Sequence, residues 1–281
     1  MWRDEKVAVK TFASWDHESW QNEFNIFNTI SLRHEYILGF IAADTLDKGT
    51  HMESWLITEY HEHGSLFDFL ARHTLTLAQT LVMLSSVVGG LSHLHMPIEG
   101  CVRKPRMAHC DLKSRNILVK INLTCCLSDF GLSLIADSEG KVTRASHSQI
   151  RFGTKRYQAP EMLLKTICCD DMDAFQKADM YALGLVMWEL MNRCQLEGDG
   201  VDAYVEPYHE FYNEETLDEA RLIQAVCVDK MRPRLKSEWK ENAILGELIE
   251  LTEELWTDAP NERLNSLRIK KSLNKIRLNV K

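Results

Sequence analysis

The period of the apolar positions changes near Ser65. Before it, Val7-Ala8-Val9, Ile37–Ala43 and Trp55–Tyr60 are short apolar runs bounded by turn residues, which predicts strands. Between the first two runs, Trp20, Phe24 and Phe27 line one face of a predicted helix. Beyond Ser65 the pattern is helical. Leu77, Leu81, Leu84, Val88 and Leu91 recur at helical spacing and predict a buried amphipathic helix. Ala178–Met191 is apolar nearly all round, as in a helix at the core of a large lobe, and further helices are predicted over Glu214–Asp229, Ala243–Trp256 and Ser266–Ile276. The pattern gives a small strand-rich lobe and a larger helical one, with a hinge near Glu59–Gly64 and no repeat or low-complexity linker.

A chain of 281 residues suits one large domain or two lobes. Lys and Arg number 33 against 41 Asp and Glu, a net charge of −8, and 45% of residues are hydrophobic. This is a globular balance, too apolar for a disordered chain, and its acidity argues against gripping nucleic acid through its phosphates. Arg268–Lys281 is locally basic and reads as a solvated helix end. No stretch approaches the ~20 uncharged apolar residues of a membrane span; Leu81–Leu94 is broken by Ser85, Ser86, Gly89, Gly90, Ser92 and His93. The start, MWRDEKVAVK, lacks the apolar core of a signal peptide. Eight cysteines without a CxxC spacing read as free thiols in a reducing cytosol. His61 and His63 have no third ligand at metal-binding spacing, and Trp188, Trp239 and Trp256 read as core anchors.

Four motifs follow in fixed order. Val7-Ala8-Val9-Lys10 ends a strand on a lysine, and His109-Cys110-Asp111-Leu112-Lys113-Ser114-Arg115-Asn116 precedes the strand Ile117–Val119. Asp129-Phe130-Gly131 follows the strand-like Cys125–Ser128, and Ala159-Pro160-Glu161 lies 28 residues beyond Gly131. Each alone is weak: the first could be an edge strand with a solvated lysine, the third a plain turn. In this order and spacing they resemble a protein kinase. The resemblance implies an α+β, two-lobed protein-kinase fold: a small β-rich lobe over 1–60, a hinge at 61–64 and a large helical lobe over 65–281.

Phosphoryl transfer requires charge neutralisation on ATP and an oriented hydroxyl, with little covalent work by the protein. The resemblance therefore makes Lys10 the partner of the α- and β-phosphates, held by an ion pair to Glu23. It makes Asp111 the acceptor of the substrate hydroxyl proton, and Asn116 and Asp129 the ligands of Mg²⁺ (or Mn²⁺). Lys113, and Thr154 in Gly153-Thr154-Lys155-Arg156-Tyr157, look like the serine/threonine-specific version.

Leu32-Arg33-His34-Glu35-Tyr36-Ile37-Leu38-Gly39-Phe40-Ile41-Ala42-Ala43-Asp44, Tyr60-His61-Glu62-His63-Gly64-Ser65-Leu66-Phe67-Asp68 and Leu267-Arg268-Ile269-Lys270-Lys271-Ser272-Leu273 narrow the likeness. They resemble the type I receptors of the TGF-β superfamily, from about Trp2 to Ile276. That implies Thr58 as gatekeeper, Glu59–His61 facing the adenine, Ser65 near the ribose, and Ala8 and Leu118 sandwiching the base. Glu161 would pair structurally with Arg263, and Asp179, at the start of the buried helix, would brace the catalytic loop. The segment Asp44–His51, with Asp44 and Asp47, occupies the place of the loop that selects Smad substrates and leans toward the TGF-β/activin branch, although Thr45 departs from the expected asparagine; Thr154 is grouped with it as a substrate-facing residue. Implied partners are Smad-type proteins and a type II receptor, with no nucleic acid and no membrane segment in this chain. The implied location is the cytosolic side of the plasma membrane, within a single-pass receptor.

Two departures stand out. The chain begins where the second small-lobe strand should end, so the Gly-rich loop, the transmembrane helix and the ectodomain of such a receptor are not in it. Cys110 stands where the family has arginine, and a thiol cannot supply a guanidinium's fork of hydrogen bonds to the segment over Asp129–Glu161. The expectation is an ATP- and Mg²⁺-dependent receptor serine/threonine kinase, or alternatively a weak or inactive fragment that docks Smads or receptors.

Overall fold

A computed structural model describes residues 5–28, 32–49, 51–100, 103–143, 152–196, 200–213 and 216–279. Trp2, Glu214 and Lys281, named above, lie outside them, as does position 50 within the segment Asp44–His51. In the small lobe, β1 (Val7–Phe12), helix α1 (His17–Phe27), β2 (Phe40–Asp47) and β3 (Met52–Glu59) follow in order. The sheet is antiparallel in the order β1-β3-β2. α1 buries Trp20, Glu23 and Ile26 at spacings of three, and Phe12, Trp20 and Leu56 form a separate apolar cluster beneath the sheet.

Two strand expectations shift. Ile37 and Leu38 precede β2 and clip onto Leu127 of the large lobe, where both are buried and the Leu38 N–H donates to the Leu127 carbonyl at 2.9 Å. Asp44 and Asp47 lie on β2 rather than in a loop, paired across from Trp55 and Met52. Beyond them the Lys48 N–H donates to the His51 carbonyl at 3.0 Å and the Gly49 N–H to Asp47 Oδ1 at 2.7 Å.

The large lobe opens with α2 (Leu66–Arg72) and α3 (Leu77–His95). Ser65 caps α2 by accepting from the Asp68 N–H, and Thr76 and Gln79 close a capping box on α3. Short strands β4 (Met107–Ala108), β5 (Ile117–Val119), β6 (Cys125–Leu127), β7 (Leu134–Ala136) and β8 (Val142–Thr143) carry the loops of the cleft. Helices α4 (Pro160–Leu163) and α5 (Met172–Asn192), the strands β9 (Tyr212–Asn213) and β10 (Thr216–Leu217), and α6 (Glu219–Ile223), α7 (Ala243–Leu255) and α8 (Ser266–Asn279) complete it. The helix expected over Glu214–Asp229 is shorter: β9 and β10 pair ahead of it, Asp218 caps α6, and a π-type turn ends it at Val228.

α5 begins at Met172, because Asp171 accepts from the Asp173 N–H and caps a first turn that buries Met172 and Phe175. Asp179 therefore sits two turns inside the helix rather than at its start. α3, one of the core elements, is the one helix among the described residues long and apolar enough to cross a membrane, and most of it is buried in the fold. Trp188, Trp239 and Trp256 are buried.

α3 passes very close to the Tyr36 turn at two glycines. A Cβ on Gly90 would lie 2.5 Å from the Tyr36 carbonyl oxygen, a backbone atom. Gly246 in α7 is different, since a Cβ there meets nothing nearer than the Lys240 carbonyl at 3.8 Å. Gly90→Ala should thus destabilise the fold by about 1–3 kcal/mol through overpacking. Gly246→Ala should stabilise it by about 0.5–1 kcal/mol by reducing unfolded-state entropy. Urea midpoints of the two variants moving in opposite directions is the expected result.

Candidate active site

The two lobes meet at Lys10. Its ammonium, carried by β1, donates to Glu23 Oε2 of α1 at 2.8 Å and to Asp129 Oδ1 at 2.9 Å. Burial works against the Lys10 charge, but the two carboxylates outweigh it and hold the group above its usual value. Asp129 moves the other way: burial would raise it, and the Lys10 ammonium holds it below the usual carboxylate range. Asp129 adopts a left-handed backbone, φ 62°, which Asp tolerates better than most residues.

The loop between β4 and β5 gathers the second cluster. Asp111 Oδ2 accepts from Lys113 Nζ at 2.7 Å and Asn116 Nδ2 at 3.0 Å, while Oδ1 accepts from the Thr154 N–H at 2.7 Å. Lys113 Nζ also donates to Thr154 Oγ1 at 2.6 Å. Thr154 thus belongs with Asp111 and Lys113, apart from the β2–β3 hairpin with which the sequence reading grouped it. No Cβ fits at Gly153, since it would lie 2.5 Å from both Asp111 Oδ1 and the Cys110 carbonyl oxygen.

α5 fixes this loop from below. Asp179 Oδ2 accepts from the His109 N–H at 2.7 Å and from His95 Nε2 at 2.9 Å, and its Oδ1 accepts from the Cys110 N–H at 2.9 Å. Cys110 has φ 66°, so the loop turns back here and aims its N–H at α5. Its thiol is pushed well up by burial, then by the nearby Asp179 charge. Further along α5, Glu189 Oε1 accepts from the hydroxyls of Ser114 at 2.8 Å, Tyr157 at 3.0 Å and Tyr204 at 2.5 Å. Glu189 and Tyr204 are site-supporting residues that carry no sequence motif. The buried Arg263 binds Glu161 through two bonds, at 2.6 and 2.8 Å.

On the other side of the cleft, Ala8 pairs across from the buried Thr58, and Ser65 bridges to Leu118. The segment from Glu59 to Gly64 joins the two, turning at a Gly64 N–H to His61 carbonyl bond of 3.0 Å with Gly64 at φ 73°. His61 Nε2 is buried without a hydrogen-bond partner, 3.8 Å from Glu59 Oε2, and burial lowers the ring's basicity. Such a wall has the mixed apolar and polar character of a nucleobase site.

The donor set suits a hard cation. Asp129 supplies a carboxylate, and Asn116, with its Nδ2 turned to Asp111, retains its amide oxygen. Among the described residues no group of three or more His, Cys, Asp or Glu could hold a metal unaided. A Mg²⁺ here would complete its shell with phosphate oxygens and water, as that ion prefers.

Residues 1–274 match the family described as Protein kinase domain. The chain is 44% identical over 276 residues to TGF-beta receptor type-1 of Homo sapiens, covering 98% of this chain and 54% of the relative. Activin receptor type-1 of Homo sapiens is 43% identical over 276 residues, with 98% and 53% covered. The chain thus spans about half the length of the curated relatives it matches.

Glu189 also sets a pH dependence. Burial pushes its carboxyl up to about 7 against the pull of the three hydroxyls. The folded chain therefore keeps a proton that the unfolded chain releases near the ordinary value of 4.5. Stability should fall as pH rises through this window. Glu189→Gln cannot ionise, so its stability relative to the parent should rise by a few kcal/mol between about pH 4.5 and 8. Chemical denaturation of both proteins across that range checks the difference.

Proposed function

The chain belongs to the protein kinase family, and from that premise we propose that it transfers the γ-phosphate of ATP to serine or threonine hydroxyls as the catalytic domain of a receptor-type kinase. The observation that carries this reading is the Lys10 ammonium pinned between Glu23 and Asp129, opposite an Asp111 whose two oxygens are oriented by Lys113, Asn116 and Thr154.

In this reading Ala8, Thr58, His61, Ser65 and Leu118 receive the adenosine, and Lys10 leaves Asp129 to meet the α- and β-phosphates while Glu23 retains it. When bound, Mg²⁺ (or Mn²⁺) would draw charge off the phosphates, with Asn116 and Asp129 as its protein ligands. Asp111 accepts the proton of the incoming hydroxyl; its oxygens keep acceptor capacity beyond the donors that orient it. Lys113 lies between Asp111 and Thr154, where its ammonium meets negative charge on the moving phosphoryl group. Lys113 and Thr154, which look like the serine/threonine-specific version of the pattern, favour a serine or threonine substrate. Glu161, Arg263 and Asp179 hold the frame.

The matched relatives are named as TGF-beta and activin receptors. We extend this to TGF-β/activin-like signalling on the cytosolic face of the plasma membrane, with a type II receptor as activating partner and Smad-type proteins as substrates. Asp44 and Asp47, exposed on β2 beside the Lys48–His51 turn, would be read by the Smad.

Phosphate transfer from ATP to a serine-bearing Smad peptide tests the proposal. Asp111→Asn should lower the rate by at least about 10²-fold, the worth of a positioned general base, with nucleotide binding retained. Parent protein that binds the Smad without transferring phosphate would instead support the docking reading, and full activity in Asp111→Asn would contradict the mechanism.

A further inference from the structure

Four side chains of α1 lie against the segment that follows Asp129. Asn22 Nδ2 donates to the Gly131 carbonyl at 2.9 Å and to the Ser133 carbonyl at 3.2 Å. Glu23 Oε1 accepts from the Phe130 N–H at 3.3 Å, while its other oxygen holds Lys10. A Cβ on Gly131 would come within 2.8 Å of Ser19 Oγ, so the glycine lets the segment lie against the helix. One turn further along α1, Phe27 packs edge-on against the buried Phe130, ring centres 5.4 Å apart.

Asn22 is the unusual member of this set. It lies in the interior of an eleven-residue helix, where asparagine is a poor helix former because its amide competes with the backbone. Here the amide is directed away from the helix, and its two hydrogens go to two carbonyls of another segment. Those two bonds are better in distance than the Phe130–Glu23 bond, the other polar tie between α1 and this segment described above. Glu23 serves both Lys10 and Phe130, so an outward movement of α1 would strain both of its contacts together.

We propose that Asn22 is a positioning residue for phosphoryl transfer: its amide latches α1 to the backbone beyond Asp129, so that Glu23, Lys10 and Asp129 come into register together. The proposal rests on the kinase reading for its catalytic consequence, while the latch itself is a property of the fold. It names a residue outside the four motifs and gives α1 its own tie to the segment, independent of the ion pair. Loss of the latch should free α1 and the segment from each other without emptying the core, because Ile26, Phe27 and Phe130 still pack.

The test uses the full chain with two variants of nearly unchanged shape. Asn22→Leu removes both donors, and Asn22→Asp sets a carboxylate against two carbonyl oxygens. Gln21→Ala is the control, since the Gln21 amide bonds only to Asn25 within the helix among the interactions described. Hydrogen exchange of the peptide carrying the Phe130 and Ser133 amides should quicken about tenfold in Asn22→Leu, the worth of one to two net hydrogen bonds. It should quicken further in Asn22→Asp and stay unchanged in Gln21→Ala. The kcat should fall in the same order, with Tm and the KM for ATP nearly constant. Unchanged exchange in both Asn22 variants overturns the latch, as does a loss of activity that follows Tm equally in both. Should the parent transfer no phosphate, the kinase reading fails, and the exchange measurement still decides whether the latch exists.

Discussion

The chemistry of the large lobe hangs from one buried carboxylate. Asp179, 2% exposed within α5, would be a costly charge in an apolar helix. It is tolerated because the His109 and Cys110 amides and the His95 ring all donate to it. Those same bonds dictate the left-handed turn at Cys110 and hence the direction in which Asp111 leaves the loop. α5 repeats the device along its length. Gln176 donates to the His95 and Met107 carbonyls at 2.9 Å, and Glu189 collects Ser114, Tyr157 and Tyr204. A single core helix thereby fixes the catalytic loop and the segment around Tyr157 relative to each other. The thiol of Cys110 does not enter this scheme, and the turn is held by its backbone.

The small lobe is joined by softer means. Lys10 and Asp129 have side chains 43% exposed, while Glu23 is 3% exposed. One partner of the ion-pair cluster is thus buried on α1, and the other two are half-exposed to solvent. A half-exposed pair is worth little to stability, and its value lies in orientation. The molecule accordingly combines a rigid base, where Asp111 is over-determined by three donors, with a more exposed upper wall at Lys10 and Asp129.

How much of this could be read beforehand depended on where each residue's partner lies. Lys10, Asp111, Asn116 and Asp129 sit in short motifs whose order carried the resemblance to a protein kinase, and that resemblance singled them out. Strand and core helices followed from period, with errors at boundaries: Asp171 caps α5 ahead of the apolar run, and the chain pairs as β9 and β10 where a helix was expected. Asp44 and Asp47 were placed in a loop by the resemblance, with an ordinary polar hairpin as the alternative, and they pair as exposed positions of that hairpin. Asn22 and Glu189 were invisible for a different reason. Their partners lie 109 and 75 residues away, and a mid-helix asparagine or glutamate gives no local pattern. Thr154 was read beside Lys113 and grouped as substrate-facing, but its bond to Asp111, 43 residues away, leaves no local pattern.

The claim on which the account turns is that Lys10 and Asp129 form a working nucleotide site between the lobes. Thermal-shift titration of the 281-residue chain with ATP, in Mg²⁺ and separately in EDTA, tests it most directly. A ligand at 100 times its Kd adds about 2.7 kcal/mol to a fold that alone binds it, so the account predicts a clear rise in Tm with Mg²⁺ that is lost in Asp129→Ala. A cooperative melt whose midpoint is indifferent to ATP under both conditions would contradict it.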